Sequence, residues 1–241
     1  HVKHCLAVSS GTAAIKIALK SVGVQPGDEV ITQAFNFIAT VEAILDCGAI
    51  PVITNVDSSL NMDVDDLQSL ISEKTKAILP VHMLGVAANL EAILKIATES
   101  GISVVEDSCE SIGSTYNGQS LGTLGQAGAI SFDQGKMLAT GEGGMVLTND
   151  AAVSKYACEY HDHGHESNPD RPRGRDTHSI YGFNYRMTEM QGAVGKVQLS
   201  KLSRMLEANK ERYKALEDVI GGKFRLRTIP EECVPNFDTL I

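Results

Sequence analysis

The chain has 241 residues, of which 43% are hydrophobic and 21% charged, and its mean hydropathy is close to zero. This composition is typical of a globular protein and excludes disordered, collagen-like and coiled-coil chains. The net charge of −9 argues against a general attraction to nucleic acid or to anionic membranes, so any anionic small ligand must be bound by local positive charge.

No apolar run reaches the roughly 20 residues that cross a bilayer, and no signal peptide opens the chain, so we expect no membrane segment. Five cysteines without a C-x-x-C pair indicate reduced thiols and a cytoplasmic protein. The chain opens almost directly on a strand, and residues 237–241 have the pattern of another strand. We therefore expect a fragment, or a protein whose other parts lie outside this sequence.

Short apolar runs alternate with helical patterns up to residue 160. The predicted strands are Cys5–Val8, Glu29–Thr32, Ile50–Val56, Ala77–Val81, Ile102–Val105, Ala127–Phe132 and Gly143–Thr148. The predicted helices are Thr12–Val22, Thr40–Cys47, Asp63–Ile71, Leu90–Ser100 and Val153–Tyr160. This alternation favours an α/β fold with a mainly parallel sheet covered by helices on both faces.

The second part of the chain has a different pattern. Residues His161–Ser179 are polar and lack apolar periodicity, which predicts a long loop. From Met187 towards Tyr213 the spacing predicts one long helix that leads into a smaller domain. We assign residues 1–200 to a large domain, and 201–241 to a linking helix and the start of a truncated C-terminal domain.

In doubly wound sheets, ligands bind at the carboxyl ends of the strands. Ser9–Ala14 follows the first strand and opens a helix; Gly11 permits close backbone approach, and the helix N-terminus suits a phosphate. The alternative is a simple N-cap and turn. Asp107 ends another strand and either caps the next helix or holds a cationic ring nitrogen protonated. Lys136 follows a third strand end and is either a surface lysine or a desolvated nucleophile.

A phosphate cradle, a carboxylate and a lysine at strand ends are together what pyridoxal 5′-phosphate (PLP) requires. The phosphate anchors the cofactor, the carboxylate keeps the ring nitrogen protonated, and the lysine binds the aldehyde and then transfers protons. Phe37, after the second strand, either stacks on the ring or fills the core.

These segments, in this order and spacing, resemble the DegT/DnrJ/StrS family of PLP-dependent nucleotide-sugar aminotransferases, within the fold type I aminotransferases. The similarity runs from about Lys3 to Tyr213 and rests on Ser10–Ala14, Pro26–Ile31, Pro80–His82, Glu106–Asp107, Ser131–Phe132 with Lys136, Thr140–Gly144 and Gly182–Met187. The resemblance implies a three-layer fold in which residues 1–200 form the PLP-binding large domain.

The resemblance also implies a role for each matching residue. Lys136 and Asp107 match the catalytic pair, namely the lysine that binds the cofactor covalently and the partner of its pyridine nitrogen. Gly11, Thr12 and Ser131 match residues that bind the phosphate.

Two further residues match, and one departs from the family pattern. Phe37 matches the aromatic that stacks on the cofactor, and Asn184 matches a residue that reaches the phosphate in the neighbouring subunit, which implies a homodimer with shared active sites. Glu110 stands where family members commonly have Gln or His; we place it at the cofactor and leave its role open. Asp133–Gly135 also differs from the usual approach to the lysine.

The resemblance implies an aminotransferase that moves an amino group from an amino acid, glutamate in related enzymes, to a keto-sugar carried by a nucleotide. The alternatives are a nucleotide-sugar dehydratase, whose family members carry His in place of Lys136, and a non-catalytic sensor with the same fold. A nicotinamide enzyme fits poorly, because no G-x-G-x-x-G follows the first strand.

The loop His161–Ser179 has two charged features. His161, Asp162, His163 and His165 could ligate zinc, but the loop character and the family pattern argue against this, and we expect no metal. A second feature is the set Arg171, Arg173 and Arg175, which is either a solvated surface run or a site for the diphosphate of the nucleotide-sugar.

Overall fold

A computed structural model describes residues 2–241. Its strands are β1 (His4–Val8), β2 (Glu29–Gln33), β3 (Ile50–Thr54), β4 (Thr75–Leu79), β5 (Ser103–Asp107), β6 (Thr115–Tyr116), β7 (Gln119–Ser120), β8 (Ala127–Ser131), β9 (Gly144–Thr148) and β10 (Cys233–Val234). Its α-helices are α1 (Gly11–Ser21), α2 (Ile38–Asp46), α3 (Val64–Leu70), α4 (Leu90–Ser100), α5 (Ala151–Tyr160), α6 (Glu189–Leu199) and α7 (Leu202–Ile220).

Seven strands form one sheet in the order β1-β9-β8-β5-β4-β2-β3. Only β9 runs antiparallel to its two neighbours, β1 and β8, and the other pairs are parallel. The predicted mainly parallel sheet is confirmed. Because β1, β2, β5 and β8 run in the same direction, their carboxyl ends share one edge of the sheet, where ligands bind in such folds.

Helices cover both faces of this sheet. Helices α1, α2 and α5 pack on one face, where the buried side chains include Ile15, Leu19 and Ile44. Helices α3 and α4 pack on the other face, where Leu67 and Ile93 are fully buried. The strands are apolar on both sides because both sides are covered, as in other parallel sheets. The result is the three-layer α/β/α arrangement expected from the sequence.

Two predictions near the end of the chain are wrong. The single helix from Met187 is two helices, because the Lys201 N–H bonds the carbonyl of Gln198 and forms a tight turn between α6 and α7. The apolar spacing continues across this turn, so periodicity could not reveal it. Residues 237–241 form no strand; Phe237 has a φ of 57°, which breaks an extended chain.

The short strand β10 pairs with β6, which in turn pairs with β7. Cys233 of β10 is buried against Ala87, Leu90 and Tyr116, so the segment after α7 returns to the large sheet domain. The domain boundary at residue 200 stays a prediction. None of the described helices combines the length and apolar character that crossing a membrane requires.

Candidate active site

A cavity of about 430 Å³ lies at the carboxyl edge of the sheet. Residues following β1, β2, β4, β5 and β8 line it, so five separate strand ends contribute. Of the eight predicted site residues, the cavity brings together all but Asn184, namely Gly11, Thr12, Phe37, Asp107, Glu110, Ser131 and Lys136. The expectation that ligands bind at the carboxyl ends of the strands therefore placed these residues together correctly. The specific role of each residue stays a prediction.

One end of the cavity is formed by the start of α1. The Ser10 hydroxyl caps the helix by accepting the Ala13 N–H at 3.1 Å. The first N–H groups of a helix have no partners within it, and here Gly11 and Thr12 line the cavity. A Cβ at Gly11 would lie 2.7 Å from the Cβ of Ser131, so only glycine allows the helix start to pack this closely against Ser131. The arrangement suits an anion held by backbone N–H groups and the helix dipole.

We expect Gly11→Ala to damage this anion site. The added methyl group would overpack against Ser131, at a cost of about 1–3 kcal/mol in folding free energy. Binding of inorganic phosphate, measured by calorimetry, should weaken with it. Gly192→Ala is the matched control, because a Cβ there meets nothing within 4 Å. Unchanged phosphate affinity in the Gly11 variant would show that the anion binds elsewhere.

Asp107 lies at the end of β5 and is almost fully buried. Its Oδ2 accepts a hydrogen bond from the Thr40 hydroxyl at 2.7 Å, and its Oδ1 accepts one from the Cys109 N–H at 3.1 Å. Its backbone carbonyl accepts the His82 N–H at 3.0 Å. These bonds fix a carboxylate at the cavity wall with little freedom to turn.

Lys136 points its amine into the same cavity. The Nζ atom lies 3.0 Å from Oε1 of Glu110 and 5.9 Å from the ring centre of Phe37. The second oxygen of Glu110 accepts the Leu84 N–H at 3.1 Å, so this carboxylate is itself anchored. Both side chains are only 21% exposed. Phe37 is 62% exposed and therefore does not fill the core.

Asn184 lies outside the cavity in this chain. It is exposed, and its Oδ1 accepts the Arg186 N–H at 3.3 Å. An isolated bridge joins it to Asp162. Its predicted reach into a neighbouring subunit stays a prediction.

The loop at 161–179 is held by an ion-pair cluster that sequence reasoning missed. Asp162 pairs with both Arg173 and Arg186, and the bond from Arg173 helps lower the pKa of the Asp162 carboxyl to about 2. Arg173 thus forms an ion pair with Asp162 of the same chain. Arg171 and Arg175 are exposed. Among residues 2–241, no group of His, Cys, Asp and Glu is placed to hold a metal ion.

A buried pair next to Asp107 was also missed. His82 and Glu106 are fully buried, with Nε2 and Oε2 2.9 Å apart. The Nδ1 atom of His82 accepts the Ala88 N–H, so Nε2 carries the proton that is donated to Glu106. The Glu106 carboxylate also accepts N–H groups from Gly122, Leu124 and Gly125. The sequence signal was a Glu inside a buried strand, which needs partners.

Burial would raise the pKa of Glu106, but the bonds from His82 and from backbone N–H groups outweigh it and lower the pKa below 4.5. Its contribution to stability is therefore present above pH 4.5 and is lost as the pH falls through the lowered folded value. We expect Glu106→Gln to reduce the free energy of unfolding by about 1–3 kcal/mol at pH 7.

Urea unfolding at pH 7 and at pH 3 would test this, since the difference from the unmodified protein should shrink in acid. Glu99→Gln, on the exposed side of α4, serves as the control and should change little at either pH. An equal loss at both pH values would show that charge on Glu106 is unimportant.

The profile of the DegT/DnrJ/EryC1/StrS aminotransferase family matches residues 1–232. GDP-perosamine synthase of Caulobacter vibrioides is 39% identical over 208 residues, which cover 86% of this chain and 55% of that protein. UDP-N-acetyl-3-dehydro-alpha-D-glucosamine 3-aminotransferase of Acidithiobacillus ferrooxidans is 37% identical over 204 residues, covering 84% and 53%.

Among solved structures, S. venezuelae DesV in complex with a ketimine intermediate matches with a TM-score of 0.91 and 29% identity, over 98% of this chain and 63% of that one. The fold is thus that of the large domain of fold type I PLP aminotransferases, as the resemblance implied. The chain spans about half the length of the curated relatives it matches. On the strength of the profile match and these identities, the chain belongs to the DegT/DnrJ/EryC1/StrS aminotransferase family.

Proposed function

We propose that the full-length protein is a PLP-dependent aminotransferase that transfers an amino group from an amino acid, with glutamate as the expected donor, to a keto-sugar of a nucleotide-sugar. The observation that carries this proposal is the meeting of the Lys136 amine, the Asp107 carboxylate and the Gly11–Ser131 cradle around one cavity. Relatives whose names state sugar-nucleotide amino transfer support the choice of acceptor.

The residues present fit PLP. Gly11 lets the first turn of α1 approach Ser131 closely, and both residues line the cavity beside the helix N-terminus, where a phosphate is favoured. Asp107 is the buried carboxylate for a ring nitrogen, Phe37 offers an exposed aromatic face, and Lys136 is the only lysine among the described residues lining the cavity. When bound, PLP supplies an aldehyde and a ring that accepts electrons.

Within this arrangement each side chain has a defined task. Lys136 would hold the cofactor through Nζ and, as a free amine, would move the proton of the substrate α-carbon. Asp107 would accept a hydrogen bond from the ring nitrogen of PLP and so keep that nitrogen protonated. Glu110, anchored by the Leu84 N–H, holds Nζ in place between these steps. The same transfers in reverse deliver the amine to the keto-sugar.

The presence of Lys136 favours amino transfer over the dehydratase alternative, which is expected to carry His at that position. Full-length protein loaded with PLP should change its visible absorbance on addition of glutamate and recover on addition of a nucleotide-linked keto-sugar. Mass analysis of the product separates gain of an amine from loss of water. A cofactor spectrum that glutamate never changes would leave only the sensor alternative.

We further propose a cytoplasmic homodimer in which Asn184 of each subunit completes the neighbouring phosphate site. The exposure of Asn184, Tyr181 and Phe183 on one strand-like segment supports this. Mixing inactive Lys136→Ala and Asn184→Ala proteins should restore activity, because mixed dimers then contain one intact site. No recovery after verified subunit exchange would contradict sharing of the site.

A further inference from the structure

A second cavity of about 210 Å³ adjoins the first. The two share the wall formed by Cys109, Glu110, Gly135 and Lys136. Beyond that wall, the second cavity is lined by Leu84, Ile112, Met137, Asp238 and Thr239. Lys136 therefore lines both the first cavity and this second one, which has about half the volume of the first.

The far side of this second cavity belongs to the segment after α7, and a buried residue fixes that segment. Asn236 is 1% exposed; its N–H donates to the Ser114 hydroxyl at 2.9 Å, and its Nδ2 donates to the carbonyls of Glu110 at 2.9 Å and Ile112 at 3.3 Å. Its Oδ1 accepts the Asp238 N–H at 3.3 Å. Asp238 and Thr239 are thus placed at the cavity by buried hydrogen bonds that reach the backbone of Glu110.

The Asn236 side chain also requires space beside it. A Cβ at Gly85 would lie 2.0 Å from its Oδ1, and Gly85 has a φ of +81°. Only glycine both lacks the clashing Cβ and adopts this positive φ without strain. Leu84, the residue before it, takes a left-handed conformation with φ 54° and donates its N–H to Glu110. The segments that carry Leu84 and Asp238 to the cavity are therefore held by positions that tolerate few substitutions.

The lining of the second cavity combines two carboxylates, Glu110 and Asp238, with the hydroxyl of Thr239 and three apolar side chains. Carboxylates accept hydrogen bonds from hydroxyl groups, while apolar side chains pack on the C–H face of a saturated ring. A polyhydroxylated ring presents both kinds of surface. The volume suits one ring and leaves a nucleotide outside.

We propose that the second cavity binds the sugar ring of the acceptor, with Asp238 and Thr239 as the residues that recognise its hydroxyl groups. This inference rests on the proposed aminotransferase function and adds where the acceptor binds. The ring's carbonyl carbon then faces Lys136. The rest of the nucleotide-sugar extends past Met137 and Asp238 into a hollow that contains Arg204 and Arg212, whose positive charge suits phosphates.

The test uses full-length protein and follows the two half-reactions separately by single-turnover absorbance. In the Asp238→Asn, Thr239→Val double variant, the concentration of keto-sugar nucleotide for half-maximal rate should rise about tenfold or more. The glutamate half-reaction should keep its rate within about twofold, because the donor is smaller and lacks the ring. Asp218→Asn, an exposed change on α7, is the matched control and should leave both half-reactions unchanged.

Three results would overturn the proposal: an unchanged half-saturating acceptor concentration, an equal loss in both half-reactions, or an effect as large in the control. If glutamate produces no spectral change in the unmodified protein, the proposed function itself fails. Calorimetry with UDP-glucose and GDP-mannose then still tests whether the second cavity binds a sugar. Weaker binding by the double variant supports a sugar site, and equal binding refutes it.

Discussion

Replacing Lys136 with alanine is expected to abolish covalent attachment of PLP and to lower the rate of amino transfer by roughly 10²- to 10⁴-fold, the range typical of a lost acid–base group. No other lysine among the described residues lines the cavity, so no second amine can take over either task. Borohydride reduction of the loaded protein, followed by peptide mass analysis, should find the cofactor on residue 136 and find none in the variant.

Lys214→Ala is the control, because Lys214 lies on the exposed side of α7. It should retain the visible absorbance and the rate of the unmodified protein. Detection of reduced cofactor on a different lysine of the unmodified protein would refute the assignment of Lys136. Added ethylamine should restore part of the proton transfer in the Lys136 variant, since a small free amine fits the vacated volume.

Replacing Asp107 with asparagine is expected to slow proton removal from the amino acid by about 10²-fold or more, because a neutral amide no longer stabilises positive charge on the ring nitrogen. The substitution conserves shape, so the fold should persist. The amide can accept at one atom only, and either the Thr40 hydroxyl or the Cys109 N–H loses its acceptor. Pre-steady-state absorbance with α-deuterated glutamate would show the slower step directly.

The matched control is Thr40→Val, which removes the hydroxyl that bonds Asp107 and keeps the carboxylate. It should cost far less in rate than Asp107→Asn. Inorganic phosphate should bind both variants as it binds the unmodified protein, because the cradle at Gly11 is formed by other residues. If the two variants slow the reaction equally, orientation and not charge is the contribution of Asp107.

Much of the fold and site could be predicted because both follow local rules. Strands and helices alternate, and parallel strands bring their carboxyl ends to the same edge. Asp107 and Ser131 end strands there, while Gly11 and Lys136 follow strand ends. The helical pattern together with Gly101 as C-cap placed α4 at its observed bounds. The family resemblance then supplied a role for each residue that geometry alone left open.

The remainder depends on contacts between distant positions, which no local pattern encodes. The pairing of His82 with Glu106 spans 24 positions, and that of Asn236 with Glu110 spans 126. The turn between α6 and α7 preserved the apolar spacing on which the prediction relied. The exposed arginine run gave no sign that Arg173 would bind Asp162, because the pairing depends on how the loop folds back.

The bond from Asn236 to the carbonyl of Glu110 has a consequence for biosynthesis. During translation, the ribosome must deliver 126 further residues after Glu110 before this bond can form. The sheet and its covering helices have emerged by then, and domains generally fold as units in the order they are made. An mRNA truncated just before codon 236 should therefore yield a folded sheet with an intact first cavity, but without the wall that Asp238 and Thr239 add to the second one.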